Sequence, residues 1–177
     1  TANLARVFNG PIHVLDCDVE EPNAHLFLRG ELIAETEVAI AATHRHQLAL
    51  GITSATDPDV APDQLLAYRA MDARGALRVR MNLLAGRRVG DTIHPLPAPY
   101  LSDMLRIDSV KFFADGGMTS ATAAISTPYR ETGTKGVMIW EDEDLADSMW
   151  QAHSAGLRIG THANGDVAIE QVLRTYE

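Results

Sequence analysis

Glu141-Asp-Glu-Asp-Leu-Ala-Asp-Ser-Met-Trp-Gln-Ala-His-Ser-Ala-Gly156-Leu-Arg-Ile-Gly-Thr-His162-Ala-Asn-Gly-Asp166 reads as a helix, a stop, a strand and the start of a second helix. The acids at 141–144 suit the positive end of a helix dipole. Leu145, Met149 and Ala152 recur at helical spacing and give that helix one apolar face. Gly156 supplies the left-handed residue on which helices commonly end. Leu157 to Ala163 follows as a short strand. Asp166 is then positioned to cap a last helix whose apolar residues are Val167, Ile169, Val172, Leu173 and Tyr176.

The same helix-glycine-strand joint recurs upstream. Thr36 is positioned to cap a helix running to about Leu50, with Val38, Ala41, Ala42, Arg45 and Leu48 near one face and Gly51 as its stop. Gly51-Ile-Thr-Ser-Ala-Thr-Asp57 reads as strand. Pro62 opens a second helix, suited to a first-turn proline, and Gly75 ends it. Leu77 to Leu84 alternates polar and apolar residues as a strand does. Residues 86–106 form a proline-dotted connection with a short helix expected near Tyr100–Leu105. Ser109-Val-Lys-Phe-Phe-Ala-Asp-Gly-Gly117 gives another strand, followed by a loop to Trp140.

Helices alternating with strands predict an α/β fold with a parallel sheet. About four parallel strands with helices make half of a (β/α)8 TIM barrel, since a complete one takes roughly 250 residues. Residues 1–33 are poorly patterned, and 34–177 read as the partial barrel domain. The chain starts without methionine and stops within a helical pattern, so both ends read as internal to a longer protein.

Composition narrows the function classes. A hydrophobic content of 46% and a charged content of 22% are those of a globular protein. A net charge of −9 argues against a nucleic-acid partner or an anionic membrane surface. No apolar run approaches the roughly 20 residues that span a bilayer. Cys17 is the only cysteine, which excludes an intrachain disulfide and a cysteine metal cluster and suits a cytoplasmic setting. An open half-barrel exposes sheet edges and an apolar face, so a homo-oligomer is expected.

Two ionisable groups stand where strands hand over to loops. Alternation puts Val110 and Phe112 on one face, and Lys111, Phe113 and Asp115 on the other. A lysine in an apolar run is costly unless it is paired, modified or bound. Three readings stay open for Lys111: a snorkelling side chain, a Schiff-base nucleophile, or a carbamate formed with carbon dioxide that bridges metal ions. His162, at the carboxyl end of its strand, offers a neutral imidazole suited to zinc-class metals. Asp115 and Tyr129, in or beside the long loop, are candidate substrate contacts. Asp57 ends a strand in a similar position. His44-Arg-His46 is rejected as a metal pair, because residues two apart on a helix point about 200° apart. His153 reads as core or surface, and His13, His25 and His94 lie in weakly patterned regions.

Val110-Lys-Phe-Phe-Ala-Asp-Gly-Gly117, Thr122-Ala-Ala, Pro128-Tyr129, Gly136 and Gly156-Leu-Arg-Ile-Gly-Thr-His-Ala-Asn-Gly-Asp-Val-Ala-Ile169 together resemble the YtcJ-like branch of the amidohydrolase superfamily, which includes N-substituted formamide deformylases. Leu50 to Asp57 and Leu77 to Arg80 fit the same order of strands. The resemblance covers about residues 30–177. It implies a (β/α)8 barrel with a divalent metal centre, commonly Zn2+, and metal-assisted hydrolysis of an amide or related C–N bond in a small molecule. It assigns Lys111 as the fourth-strand lysine that can be carboxylated and His162 as the fifth-strand ligand. The family's His-x-His on strand one, histidine on strand six and aspartate on strand eight have no counterpart here. Asn164 stands where the family usually has a hydrophobic residue, and Ala121 where it often has arginine. With at most two ligands, the isolated 177 residues are expected to show negligible turnover.

Overall fold

A computed structural model describes residues 31–177. Residues 1–30, including His13, Cys17 and His25, lie outside the described residues. In chain order the elements are α1 (Glu31–Ala49), β1 (Ser54–Val60), α2 (Pro62–Ala73), β2 (Arg80–Gly86), β3 (Arg88–Val89), β4 (Thr92–Ile93), β5 (Tyr100–Leu101), β6 (Leu105–Phe113), α3 (Asp142–Ser154), β7 (Arg158–His162) and α4 (Asp166–Tyr176).

Strands β1, β2, β6 and β7 pair side by side and all run parallel. That is the expected count, and the alternation with helices is that of consecutive βα units of a barrel. Gly51, Gly75 and Gly156 have φ of 78°, 68° and 75°. After each, the next residue's N–H returns to a carbonyl five residues back: Ile52 to Gln47 at 2.9 Å, Ala76 to Met71 at 2.8 Å and Leu157 to Ala152 at 3.0 Å. This left-handed stop closes each helix's last carbonyls and turns the chain back toward the sheet. At the other end of α2, Pro62 forgoes a donor the first turn cannot use, and the Gln64 side chain accepts the Ala61 N–H at 3.0 Å.

The helix side of the sheet is the core. Val60, Leu83, Leu105 and Ile107 pack with Leu65, Tyr68 and Met71 of α2. Val110 and Phe112 pack with Trp140, Leu145, Met149 and Ala152. One extra residue at Asp108 shifts the β2–β6 register, so the buried residues change from odd to even positions along β6.

Several expectations need correction. Thr36 is not a cap: α1 begins at Glu31, and its buried face is Ile40 and His44, with Val38 65% exposed. No helix forms at Tyr100–Leu105. β5 there pairs antiparallel with β6, and Ser102 Oγ accepts the N–H groups of Met104 and Leu105 in the turn between them. The connection before it also folds a small hairpin, β3–β4. The N-cap of α4 is Gly165, not Asp166. On α4 the buried residues are Ala168 and Gln171, while Ile169, Leu173 and Tyr176 are exposed.

Candidate metal centre

The non-helix face of the sheet is layered. Lowest is a polar layer in which Arg158 donates to Asp108 and to Asn82 Oδ1 (2.9 Å), and Arg106 donates to Asp108. Burial opposes ionisation of Asp108, but hydrogen bonds from Arg158, Arg106 and Ser109 outweigh it and hold its pKa below the usual value. Toward the carboxyl ends, Gly86, Lys111 and Gly160 stand in register across β2, β6 and β7. Phe113 and His162 stand opposite each other at the next level.

Lys111 is half-buried on that face, with Nζ 4.6 Å from the centre of the Phe113 ring. Burial pulls its pKa below the usual lysine value, and the charge of Asp59 works against that fall. Both in-register neighbours are glycines, and side chains from elsewhere take up the space there: a Cβ on Gly86 would meet Asp59 Oδ1 at 2.4 Å and one on Gly160 would meet Leu84 Cδ2 at 2.7 Å. His162 lies one strand over and two residues on, which ideal strand spacing makes roughly 8 Å between Cα atoms. The two residues thus share one face and one end of the sheet.

The surroundings of His162 offer its Nε2 both an acceptor and a donor. Its Nε2 lies 3.0 Å from the Gly116 carbonyl and 3.7 Å from Asp115 Oδ1. With the proton on Nε2 the ring donates to the Gly116 carbonyl, and the Asn164 amide, 3.1 Å from both Nε2 and that carbonyl, donates to the carbonyl as well. Nδ1 then carries the lone pair. A ring held by its far N–H to a carbonyl is the usual support for a metal-binding histidine. The donor chemistry therefore fits a zinc-class cation at His162, and Lys111 fits once its amine is converted to an anionic carbamate. Among the described residues, no group of three or more His, Cys, Asp or Glu could hold a metal ion by itself.

Asp115 and Tyr129 serve the framework of the loop. Asp115 is 1% exposed; its Oδ2 accepts N–H groups from Ala124 (2.9 Å) and Gly165 (2.7 Å), and its Oδ1 accepts that of Asn164 (2.9 Å). It thereby ties the loop after β6 to the segment after β7, and its lone pairs are committed to the main chain. Tyr129 donates to the Ala123 carbonyl at 3.0 Å. Asp57 faces the helices and accepts the Tyr68 hydroxyl at 3.0 Å. Asp166 accepts the Ser126 N–H at 2.9 Å. His44 is buried against the Arg78 N–H, and His46 is exposed, which agrees with rejecting that pair. Sequence reasoning passed over Asp59, whose charge is felt by Lys111. Its signal was a second acid two residues after Asp57 at a strand end.

Comparisons with known proteins agree with this fold. The model of the amidohydrolase family matches residues 18–177. A Bacillus subtilis (strain 168) protein named "Putative amidohydrolase YtcJ" is 32% identical over 115 residues, 63% of this chain and 21% of that protein. An Arabidopsis thaliana protein named "Protein LONG AFTER FAR-RED 3" is 33% identical over 78 residues, 44% of this chain and 13% of that protein. A crystal structure of an uncharacterized metal-dependent hydrolase from Pyrococcus horikoshii OT3 superposes with a TM-score of 0.75 at 26% identity, covering 86% of this chain and 32% of that one. The chain spans a minor part of each of these proteins.

Proposed function

The chain belongs to the amidohydrolase family, and from that premise we propose that it carries part of the metal centre of a hydrolase acting on amide or other non-peptide C–N bonds of small molecules. The observation that supports this most is the pairing of Lys111 and His162 on one face at the carboxyl ends of neighbouring strands, with His162 held by Nε2 to the Gly116 carbonyl. A bound divalent cation of the zinc class supplies Lewis-acid activation of water and of the scissile carbonyl. His162 would hold the cation through Nδ1, and Lys111, as a carbamate, would offer it an anionic oxygen. Gly86 and Gly160, in register on either side, add no side chain of their own beside it. Asn164 and Gly116 fix the imidazole plane. Remaining ligands come from the rest of the protein, in a cytoplasmic setting that the lone Cys17 suits.

The test is turnover by the full-length protein on a panel of N-acyl and N-formyl amines. Activity is expected to vanish with a chelator, to return with zinc, and to fall by a factor of 100 or more in His162→Ala. Unchanged activity in excess chelator would remove the metal reading.

A second reading rests on the burial that lowers the pKa of Lys111, which also suits a Schiff-base nucleophile. Borohydride trapping of a carbonyl compound on Lys111 would favour it. Of the two lysines in the chain, Lys135 is exposed and serves as the internal control.

A further inference from the structure

Asp59 is a non-glycine residue with φ of 73°. That left-handed conformation is uncommon for side-chain-bearing residues, although aspartate tolerates it better than most. It arises from a bulge: Pro58 pairs with Leu84 and Val60 with Ala85, leaving Asp59 as the extra residue at the end of β1. The carboxylate lies against Gly86, where any Cβ would stand 2.4 Å from Asp59 Oδ1. Gly86 is in turn the in-register neighbour of Lys111. A strained acid and a half-buried amine therefore flank one bare residue of β2, from opposite sides and on the same face.

We propose that Asp59 is a positioning residue for Lys111: the bulge sets its carboxylate over Gly86, where it attracts the Lys111 amine and opposes the second negative charge that a carbamate would bring. Strain kept at a site needs a compensating role, and the geometry supplies one. Carbamate formation joins Nζ to the carbon of carbon dioxide and releases one proton to solvent. The product is an anion facing another anion, so Asp59 disfavours it until a cation neutralises both. This deepens the metal-centre reading and rests on Lys111 being its lysine.

The test uses the full-length protein treated with a carbodiimide, which joins a carboxylate to an amine only where the two meet. Peptide mass spectrometry should find an Asp59–Lys111 amide in the wild type and at least fivefold less of it in Gly86→Ala, whose Cβ displaces the carboxylate. Links from Lys135 should not change. In metal-free protein equilibrated with carbon-13 bicarbonate, Asp59→Asn should raise the Lys111 carbamate signal several-fold without lowering the melting temperature, since asparagine also accepts the left-handed turn. The proposal is overturned if the wild type forms no Asp59–Lys111 link while Lys135 still reacts, or if Asp59→Asn leaves the carbamate signal within twofold. If no form takes up carbon dioxide, the carbamate part of the hydrolase reading fails, and the crosslink alone decides whether Asp59 positions Lys111. Neither readout depends on turnover.

Discussion

Asp115 joins three main-chain N–H groups that belong to distant parts of the sequence, separated from it by 9, 49 and 50 residues. Its removal would strand those donors, two of them in buried bonds, and each unsatisfied buried donor costs about 1–3 kcal/mol. Asp115→Ala is therefore expected to lower the unfolding free energy by about 3 kcal/mol or more, read from urea titrations. An unchanged midpoint would show that the tie carries no load. Gly165 makes the same point sterically, because a Cβ there would meet the Ala124 carbonyl oxygen at 1.7 Å. Sequence reading took Asp115 for a substrate contact because its partners are non-local, and nothing in Asp-Gly-Gly says which N–H groups will arrive. Lys111 and His162 were legible because each is a polar group in an apolar strand, a conflict visible within a few residues. Asp59 was not, because its significance comes from Gly86 and Lys111 on two other strands.

Strands and helices were legible to the degree that their signals are local. The three glycine stops are single-residue signals, and each has the backbone bonds expected of it. Tyr100–Leu105 was misread because its strand identity depends on pairing with Ile107 and Arg106. The polar layer was equally hidden, since Asn82, Asp108 and Arg158 lie on three strands. That layer predicts a pH dependence. Asp108 has a folded-state pKa below its unfolded value, so its contribution to stability is present above the unfolded pKa of about 3.9 and is lost as pH falls through the folded pKa. Asp108→Asn should lower stability at pH 6 and flatten its decline toward pH 3, measured as the urea midpoint against pH. A decline identical to that of the wild type would remove Asp108 from the acid response. At the end of α3, Gly156→Ala forces a side chain into φ of 75° and should cost about 1 kcal/mol by the same measurement.

For the whole molecule, the sheet has one covered face and one that carries Lys111, His162 and the polar layer. Leu173, Tyr176, Trp150 and Leu101 are 60%, 56%, 68% and 77% exposed. Such surface favours association, so the purified 177-residue chain, 19.2 kDa as a monomer, should scatter light as a larger species. A monomer across the micromolar range would contradict this. No helix of the described residues is long and apolar enough to cross a membrane. The central claim is that Lys111 and His162 belong to one metal centre. Anomalous X-ray scattering from crystals of the full-length protein grown with zinc tests it most directly. The expected result is a cation at His162 Nδ1 with a carboxylated Lys111 beside it. A cation bound elsewhere, with His162 Nδ1 facing only solvent and Lys111 a free amine, would contradict it.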